Sequence, residues 1–359
     1  MNRNMSRQKR TLIVLLIAAA LIALAAVFLL LSSRLERMHD AAPEGAGLAL
    51  SRSSADEVDA RLTETGVSEE NDSVEIATLF YNGQQYIYKE RLTSLLILGI
   101  DDAELLESAT ARNQSQADFL LLAVFDPDSR ECTLIQLNRD TMCDVPVLDA
   151  DGNYVGLVNE QLALSHTYGN GMESSCENTV FAVSRLLYGV EISNYFALTM
   201  DAIPVLNDLV GGVTVTIEDD FSAVDPTLVM GETVTLTAEN VEHFVRERWG
   251  IEEEPTNLNR MMRQRAYMYG LVEGLKEAVA DDSSFVLAAY SAISKSLVTD
   301  CSIEELFDYA DRFSGYTLRE IVSPEGEAVL GEKFMEFYAD EEDLQRLVLE
   351  TFYAPVTEG

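Results

Sequence analysis

Two runs of this sequence are apolar at nearly every position. Leu95–Ile100 reads LLILGI, and Phe119–Phe125 reads FLLLAVF. A strand with one face in water alternates apolar and polar side chains, whereas a strand covered on both faces is apolar throughout. The runs therefore predict two strands, Ser94–Ile100 and Asp118–Phe125, buried between two layers of the fold. Cys132–Leu137 is predicted to be a third such strand.

After these three strands, the sequence shows helical periodicity. We predict four helices in the middle of the chain: Ser175–Leu187, Asp201–Leu209, Ala238–Arg248 and Arg260–Val279. Asn82-Gly83 between two aromatic runs predicts a β-hairpin. Strands that alternate with helices are typical of layered α/β domains, so residues 76–280 are predicted to form a mixed sheet flanked by helices. Residues 281–359 are expected to form a mostly helical extension packed on that domain. Its predicted helices are Phe285–Lys295, Ile303–Phe313 and Glu341–Phe352, and one short extended piece is predicted near Arg319–Ser323.

The beginning of the sequence predicts a membrane anchor. Thr11–Ser33 contains no charged residue, and residues 1–10 contain four cationic residues and no acidic one. About 20 apolar residues are enough for a helix to cross a bilayer. We predict one transmembrane helix over 11–33, a cytoplasmic basic tail over 1–10 and an extracytoplasmic stalk over 34–75. The alternative is a cleaved signal peptide, whose apolar region is shorter, about 7–15 residues.

The charge of the chain limits its partners. Lys and Arg number 25 against 61 Asp and Glu, which gives a formal net charge of −36. A nucleic-acid backbone requires a basic surface, so we exclude nucleic acid as a partner. Five arginines nevertheless fall within Phe244–Arg265: Arg246, Arg248, Arg260, Arg263 and Arg265.

These arginines suggest an anion site. The guanidinium group offers a flat set of donors that suits phosphate oxygens. Arg260 and Arg263 lie in the first turns of a predicted helix, where free N–H groups already favour an anion. The alternative is surface ion pairing with Glu247 and with Glu252–Glu254. We favour the anion site because all five are gathered in one stretch.

Acidic residues lie at the ends of the predicted strands. Asp101 directly follows the first apolar strand, and Asp118 opens the second. The two carboxylates converge if these strands are antiparallel, and they are then suited to Mg²⁺ or Mn²⁺. The alternative is that Asp101 merely ends a strand and Asp118 caps a turn. Carboxylates for a metal together with arginines for phosphate point to phosphoryl transfer.

The cysteines and histidines suggest no further site. Cys132, Cys143, Cys176 and Cys301 include no CxxC pair, and the sequence does not decide whether or how they form disulfides. His243 is interpreted as a packing residue on a helix. We find no Ser/His/Asp or Cys/His arrangement that predicts a protein nucleophile.

An ordered set of motifs between about Leu95 and Leu275 resembles the LytR–CpsA–Psr (LCP) family. The motifs are LILGIDD, ADFLLLAVFDPDSRECTLIQLNRDT, QLALSHTYGNG, NDLVGGVTVTIEDDF, LTAENVEHFVRERW and NLNRMMRQR. The resemblance implies an extracytoplasmic, membrane-anchored transferase of a Gram-positive-type envelope. Such an enzyme moves a glycopolymer, such as teichoic acid or capsular polysaccharide, from a polyprenyl-pyrophosphate carrier to peptidoglycan with Mg²⁺. It also implies a slot for the lipid tail.

The resemblance assigns roles to particular residues. It implies that Asp101 and Asp118 bind the metal, and that Arg139, Arg246 and Arg248 are catalytic. The residues implied to hold the pyrophosphate are Arg139, Arg246, Arg248, Arg260, Arg263 and Gln264. A non-catalytic regulator that binds polyprenyl-phosphate lipids in wall assembly or septation is the alternative.

The sequence also departs from the family pattern. Ala103 and Gln116 stand where the family often has arginines, Asn257 where it has an acid, and Gln161 where it has a lysine. Arg112 is a candidate to replace a missing phosphate contact.

Overall fold

The apolar runs of the sequence lie in the middle of a mixed six-stranded sheet. A computed structural model describes residues 78–101, 112–149, 152–247, 251, 257–282 and 284–356. The strands within these residues are β1 (Thr78–Tyr81), β2 (Gln84–Tyr88), β3 (Thr93–Ile100), β4 (Ala117–Asp126), β5 (Glu131–Leu137), β6 (Met142–Leu148), β7 (Tyr154–Gln161), β8 (Asn194–Thr199), β9 (Thr214–Thr216), β10 (Thr233–Thr235), β11 (Leu297–Thr299), β12 (Thr317–Leu318), β13 (Gly326–Leu330), β14 (Met335–Ala339) and β15 (Tyr353–Pro355). The helices are α1 (Glu173–Leu186), α2 (Ala202–Leu209), α3 (Val241–Arg246), α4 (Leu258–Asp281), α5 (Phe285–Ile293), α6 (Ile303–Gly315) and α7 (Glu341–Phe352).

The central sheet has the strand order β11-β8-β3-β4-β5-β12. The strands β3, β4 and β5 are antiparallel neighbours, while β8 runs parallel to β3 and β12 runs parallel to β5. The three apolar strands predicted from the sequence are therefore confirmed, and so is the mixed α/β class. The antiparallel pairing of β3 and β4 is also the condition under which Asp101 and Asp118 were expected to converge.

Both faces of this sheet are covered. On the face that we call the first, Leu96 and Leu98 of β3 pack in a core that α1 and α7 complete. On the second face, Leu95 and Leu121 pack in another core, to which α6 contributes Tyr309. Successive side chains of a strand point to opposite faces, so a run that is apolar at every position serves two cores.

A smaller apolar cluster fixes the helices that carry the arginines. Val215 of β9 and Val213, which directly precedes β9, pack with Phe244 of α3 and with Tyr267 of α4. The rings of Phe221 and Phe244 stack with their centroids 6.0 Å apart. This cluster therefore holds α3 and the first turns of α4 beside one another.

The last part of the described chain completes the sheet at both edges. The helices α5, α6 and α7 lie where they were predicted, but β11 extends the sheet beside β8, and β12 extends it beside β5. The predicted extended piece near Arg319–Ser323 lies directly after β12, but β11 was missed, because three residues are too few to show a period-2 pattern. The chain after residue 281 thus contributes to the sheet itself.

The predicted hairpin at the other end is confirmed. Asn82 and Gly83 have φ values of 49° and 79° and connect β1 to β2, as a two-residue turn with positive φ at both positions requires. The strand β15 pairs with β2, so the end of the described chain closes this small sheet.

The predicted tail, transmembrane helix and stalk, residues 1–75, lie outside the described residues. Among the helices that the structure does describe, none has both the length and the apolar character needed to cross a membrane.

Candidate functional site

A β-bulge directs Asp118 to the second face of the sheet. Gly99 pairs with Phe119 and Ile100 pairs with Ala117, so Asp118 is the additional residue of β4. Ala117 packs in the first-face core, whereas Asp118 and Phe119 both line a cavity on the second face. In a regular strand, Asp118 would point to the face opposite Phe119. The bulge changes that alternation and re-aims the carboxylate.

Gly99 allows the close approach of the two strands at the bulge. A Cβ atom at this position would lie 2.9 Å from the Cβ atom of Phe119, which is closer than two carbon atoms pack. The glycine of the LILGIDD motif therefore has a steric role beside Asp118.

Asp101 and Asp118 line one polar cleft. The backbone N–H of Asp101 donates to the carbonyl oxygen of Gln116 at 2.8 Å, which holds the end of β3 against the start of β4. The described residues that line the cleft are Asp101, Gln116, Asp118, Arg139, Glu242, His243, Arg246, Glu247 and Arg260. The structure thus brings together both predicted metal ligands and three of the predicted phosphate ligands.

The carboxylate of Asp118 lies between two guanidinium groups. Arg139, which follows β5, donates to Asp118 and to Gln116. Nη1 of Arg260 lies 3.5 Å from the other oxygen of Asp118. All three charged side chains are largely buried, so solvent screens these ion pairs less than it would on an open surface.

Arg246 contacts two further carboxylates of the cleft, those of Asp101 and Glu242. Its guanidinium group lies 2.7 Å from Asp101 and 3.1 Å from Glu242, one helical turn away on α3. The side chain is 40% exposed. Arg246 is therefore available to solvent and ligand, whereas Arg139 and Arg260 lie deeper.

A chain of buried amides orients Arg260. Asn257, the residue before α4, accepts a 2.8 Å hydrogen bond from Nε of Arg260. The amide of Asn257 donates in turn to Oδ1 of Asn138, at 3.1 Å. The neutral Asn257 thus supports Arg260 at the position where the family pattern has an acid.

The structure contradicts the expectation that Arg263 is a phosphate ligand. Its side chain is 5% exposed, and it bonds to Asp219 at 2.6 Å, to the carbonyl oxygen of Phe244 at 2.9 Å and to the carbonyl oxygen of Glu247. It is not among the side chains that line the cleft. Three residues along a helix give a net change in direction of about 60° and a rise of about 4.5 Å, and Arg263 thereby reaches Asp219 in the loop after β9.

The remaining predicted residues have different positions. Gln264 lies at the apolar cavity, where its amide contacts Val245 O and Gln136. Arg112 donates to Thr167 and stacks on the ring of Tyr168, so it does not replace a contact in the cleft. Arg248 lies outside the described residues.

An apolar cavity of about 330 Å³ continues from the polar cleft. It lies between the second face of the sheet and the helices α2, α4, α5 and α6, and most of its lining is aliphatic or aromatic. Asp118, Arg246 and Arg260 line both the cleft and the cavity. The two spaces therefore meet where a buried carboxylate and two arginines lie together.

The sequence model of the LytR_cpsA_psr family matches residues 55–346, which is most of the chain. This chain belongs to the LytR_cpsA_psr family. The resemblance drawn from the motifs is confirmed, and the match extends past them into the region that contributes β11 and β12.

Similar proteins agree with this family. The polyisoprenyl-teichoic acid–peptidoglycan teichoic acid transferase TagU of Enterococcus faecalis is 26% identical over 224 residues, which cover 61% of this chain and 66% of that protein. The chain thus spans just under two thirds of that relative. The solved structure of gbs0355 from Streptococcus agalactiae aligns with a TM-score of 0.59 at 20% identity, over 72% of this chain and 87% of that one. TagT bound to LI-WTA aligns with a TM-score of 0.56 at 17% identity, over 73% and 90%.

Three cleft residues of this LytR_cpsA_psr protein were missed or misinterpreted. Glu242, His243 and Glu247 line the cleft, although His243 was interpreted as packing and Glu247 as a surface partner. The signal was available in their spacing. Residues three or four apart share a helix face, so Arg246 predicts that Glu242 and His243 lie beside it. The side chain of His243 is 42% exposed, which is not the burial of a packing residue.

Proposed function

We propose that this protein is a phosphotransferase that moves a glycopolymer from a polyprenyl-pyrophosphate carrier to peptidoglycan. The observation that carries the proposal is the junction of the polar cleft with the apolar cavity at Asp118, Arg246 and Arg260. A ligand that fits both spaces has an anionic head and a long apolar tail. The names of TagU and of the TagT complex with LI-WTA support a teichoic-acid type of glycopolymer.

The charges of the cleft fit a divalent cation. Its described lining contains three guanidinium groups and four carboxylates, so it carries one net negative charge, which disfavours a diphosphate. An ion held by Asp101 and Asp118 would reverse that sign and release the arginines for phosphate oxygens. The described residues contain no cluster of three or more His, Cys, Asp or Glu side chains that could hold a metal. Two carboxylates with phosphate oxygens are a common ligand set for Mg²⁺.

The proposed chemistry is a displacement at phosphorus. A hydroxyl group of peptidoglycan attacks the phosphorus that carries the glycan, and the bond to the polyprenyl phosphate breaks. Bound Mg²⁺ would neutralise charge on the phosphate oxygens. Arg139, Arg246 and Arg260 donate to the same oxygens and to the departing phosphate, and fixed donors of this kind stabilise charge that develops in a transition state. Arg248, which follows Arg246 in the same motif, is proposed as a further donor.

The proposal includes the membrane. The uncharged segment Thr11–Ser33 would anchor the protein with its amino terminus in the cytoplasm and its folded part outside. A carrier lipid in the same bilayer could then enter the apolar cavity without leaving an apolar environment entirely.

A binding experiment tests the lipid site. Full-length protein in detergent is titrated with geranylgeranyl pyrophosphate in the presence of Mg²⁺. Arg260→Ala should weaken binding about 10- to 100-fold, because a hydrogen bond to a charged group contributes about 1.5–3 kcal/mol. Arg265→Ala is the matched control, since Arg265 lies on the same helix but bonds to Ser323 and does not line the cleft. Equal weakening by both variants would contradict the site.

A transfer experiment separates the enzyme from the regulator. The same protein is mixed with a synthetic polyprenyl-pyrophosphoryl disaccharide and soluble peptidoglycan strands, with and without Mg²⁺. Mg²⁺-dependent transfer of the disaccharide together with its phosphate supports the phosphotransferase. Tight binding of the lipid without transfer would instead support a non-catalytic lipid-binding regulator.

A further inference from the structure

His243 and Asp225 form a hydrogen-bonded pair at the edge of the cleft. His243 lies on α3, three residues before Arg246, and its side chain lines the cleft. Its Nδ1 atom lies 2.9 Å from Oδ2 of Asp225, in the loop that connects β9 to β10. Asp225 is 11% exposed and His243 is 42% exposed. The carboxylate is thus enclosed behind an imidazole ring that reaches solvent and the cleft.

The contacts of Asp225 determine which nitrogen of His243 carries the proton. Its other oxygen accepts hydrogen bonds from the backbone N–H and the hydroxyl of Thr227, at 2.9 Å and 2.6 Å. Burial acts to raise the pKa of Asp225, but the hydrogen bonds from Thr227 and His243 outweigh it and hold the pKa below its ordinary value. An ionised carboxylate only accepts hydrogen bonds, so Nδ1 of His243 must donate. The lone pair of the neutral ring is then on Nε2.

We propose that His243 is the general base of the transfer reaction and that Asp225 is its positioning residue. This inference rests on the proposed function. A histidine held through Nδ1 by a carboxylate, with Nε2 directed elsewhere, is the arrangement that removes a proton from an attacking hydroxyl in unrelated enzymes. Here the hydroxyl belongs to the sugar acceptor and not to the protein.

The proposed step forms one bond to phosphorus, breaks another and transfers one proton to His243. The acceptor oxygen forms a bond to the phosphorus that carries the glycan, and its proton passes to Nε2 of His243. The bond from that phosphorus to the bridging oxygen breaks, and the electron pair leaves with the polyprenyl phosphate. The imidazolium ion that results is stabilised by the carboxylate of Asp225. It returns its proton to the departing phosphate or to water.

The charged groups around His243 come from several elements. The carboxylates are Asp225 behind the ring, Glu242 and Glu247 beside α3, and Asp101 and Asp118 on the sheet, while the cations are Arg139, Arg246 and Arg260. The base must be neutral to accept a proton. The rate of transfer should therefore depend on pH.

The variant His243→Asn separates catalysis from packing. The amide nitrogen of asparagine can replace Nδ1 as the donor to Asp225, but nothing replaces Nε2. We expect His243→Asn to keep its thermal stability and its affinity for geranylgeranyl pyrophosphate. Its rate of disaccharide transfer should fall by about 100-fold or more, as is typical when general-base catalysis is lost. Its pH–rate profile should differ from that of the wild type, because the general base is missing.

Two further variants complete the test. His243→Ala should lose a similar amount of activity, and added imidazole should restore part of it, because the position is open to solvent. Asp225→Asn should reduce the rate while the pH dependence moves, since the ring loses its fixed tautomer and its partner charge.

The outcomes distinguish the inference from the function on which it rests. Wild-type protein that transfers no disaccharide overturns both. Wild-type transfer with an unchanged rate and pH profile in His243→Asn overturns the inference alone and leaves the phosphotransferase intact. Loss of thermal stability in His243→Asn, matched by an equal loss of lipid binding, would show that the pair only tethers the loop.

Discussion

Replacement of Arg263 by alanine tests whether this residue supports the fold or binds the ligand. Its sequence position next to Arg260 predicts a phosphate contact, whereas the structure gives its guanidinium group to Asp219 and to two backbone carbonyl oxygens. In the variant, the carboxylate of Asp219 and the two carbonyl oxygens lose their hydrogen-bond donor. The expected consequence is a loss of stability with little direct loss of ligand affinity.

The magnitude follows from the contacts. A hydrogen bond between charged groups contributes about 1.5–3 kcal/mol, and removal of one partner from a buried ion pair costs about 3–5 kcal/mol. Because Asp219 is 24% exposed, water can hydrate part of the orphaned carboxylate, and we expect about 3 kcal/mol. In a domain of this size each kcal/mol lowers Tm by roughly 2–4 °C, so the predicted decrease is about 6–12 °C.

The assay compares Arg263→Ala with Arg260→Ala in the same full-length protein. Thermal unfolding is followed by circular dichroism, and affinity for geranylgeranyl pyrophosphate is measured well below either Tm. Arg263→Ala should lower Tm with a change in affinity of less than about threefold, and Arg260→Ala should have the larger effect on affinity. The reasoning is refuted if Arg263→Ala unfolds like the wild type but loses its ligand.

Three other predictions concern the sheet, the cavity and a buried histidine. Gly99→Ala should destabilise the protein by about 1–3 kcal/mol in urea unfolding, because its Cβ atom would clash with β4, whereas Gly315→Ala meets only a flexible side chain at 3.5 Å and should be nearly neutral. Ala289→Trp, which fills the apolar cavity, should weaken geranylgeranyl pyrophosphate but not inorganic pyrophosphate; Ala288→Trp, on the exposed side of α5, should change neither. Burial lowers the pKa of His166 to about 4, so the unfolded chain binds a proton that the folded chain refuses, and stability falls as the pH drops from about 6.5 to 4. The loss, about 3 kcal/mol in urea unfolding against pH, should be absent from His166→Asn; equal pH dependence in both proteins would contradict it.

The sequence predicted the parts of the fold that carry long, regular patterns. β3 and β4 are apolar at most positions, β5 has four apolar residues among its seven, and α4 extends over 24 residues, so these patterns were long enough to recognise. β11 and β12 have three and two residues, and only pairing with a formed sheet defines them. The beginning of α3 was also misplaced. The sequence predicts a helix that begins at Ala238. In the structure, a turn that starts at Thr237 precedes the helix, and the helix begins at Val241.

The site was predictable in composition and less so in orientation. The arginines and the two aspartates were found because their residue types are unusual at their positions. Which of them face the cleft depends on the direction of each side chain, which a bulge in a strand or a shift of a few positions along a helix changes. Asp118 reaches the second face through a bulge that the sequence of β4 does not predict. Arg263 lies only three positions after Arg260 on α4, yet it bonds to Asp219 outside the cleft.

Two departures from the family pattern, Gln116 and Asn257, balance one another in charge. Gln116 replaces an arginine that the pattern would place beside Arg139, and Asn257 replaces an acid that the pattern would place beside Arg260. These two replacements remove one positive and one negative charge, whereas Ala103 and Gln161 each remove a further positive charge of the pattern. Both amides provide a hydrogen-bond acceptor to an arginine: Gln116 accepts from Arg139, and Asn257 accepts from Nε of Arg260 at 2.8 Å. The neutral amides thus orient the two arginines without adding charge, and the carboxylate that both arginines face is that of Asp118.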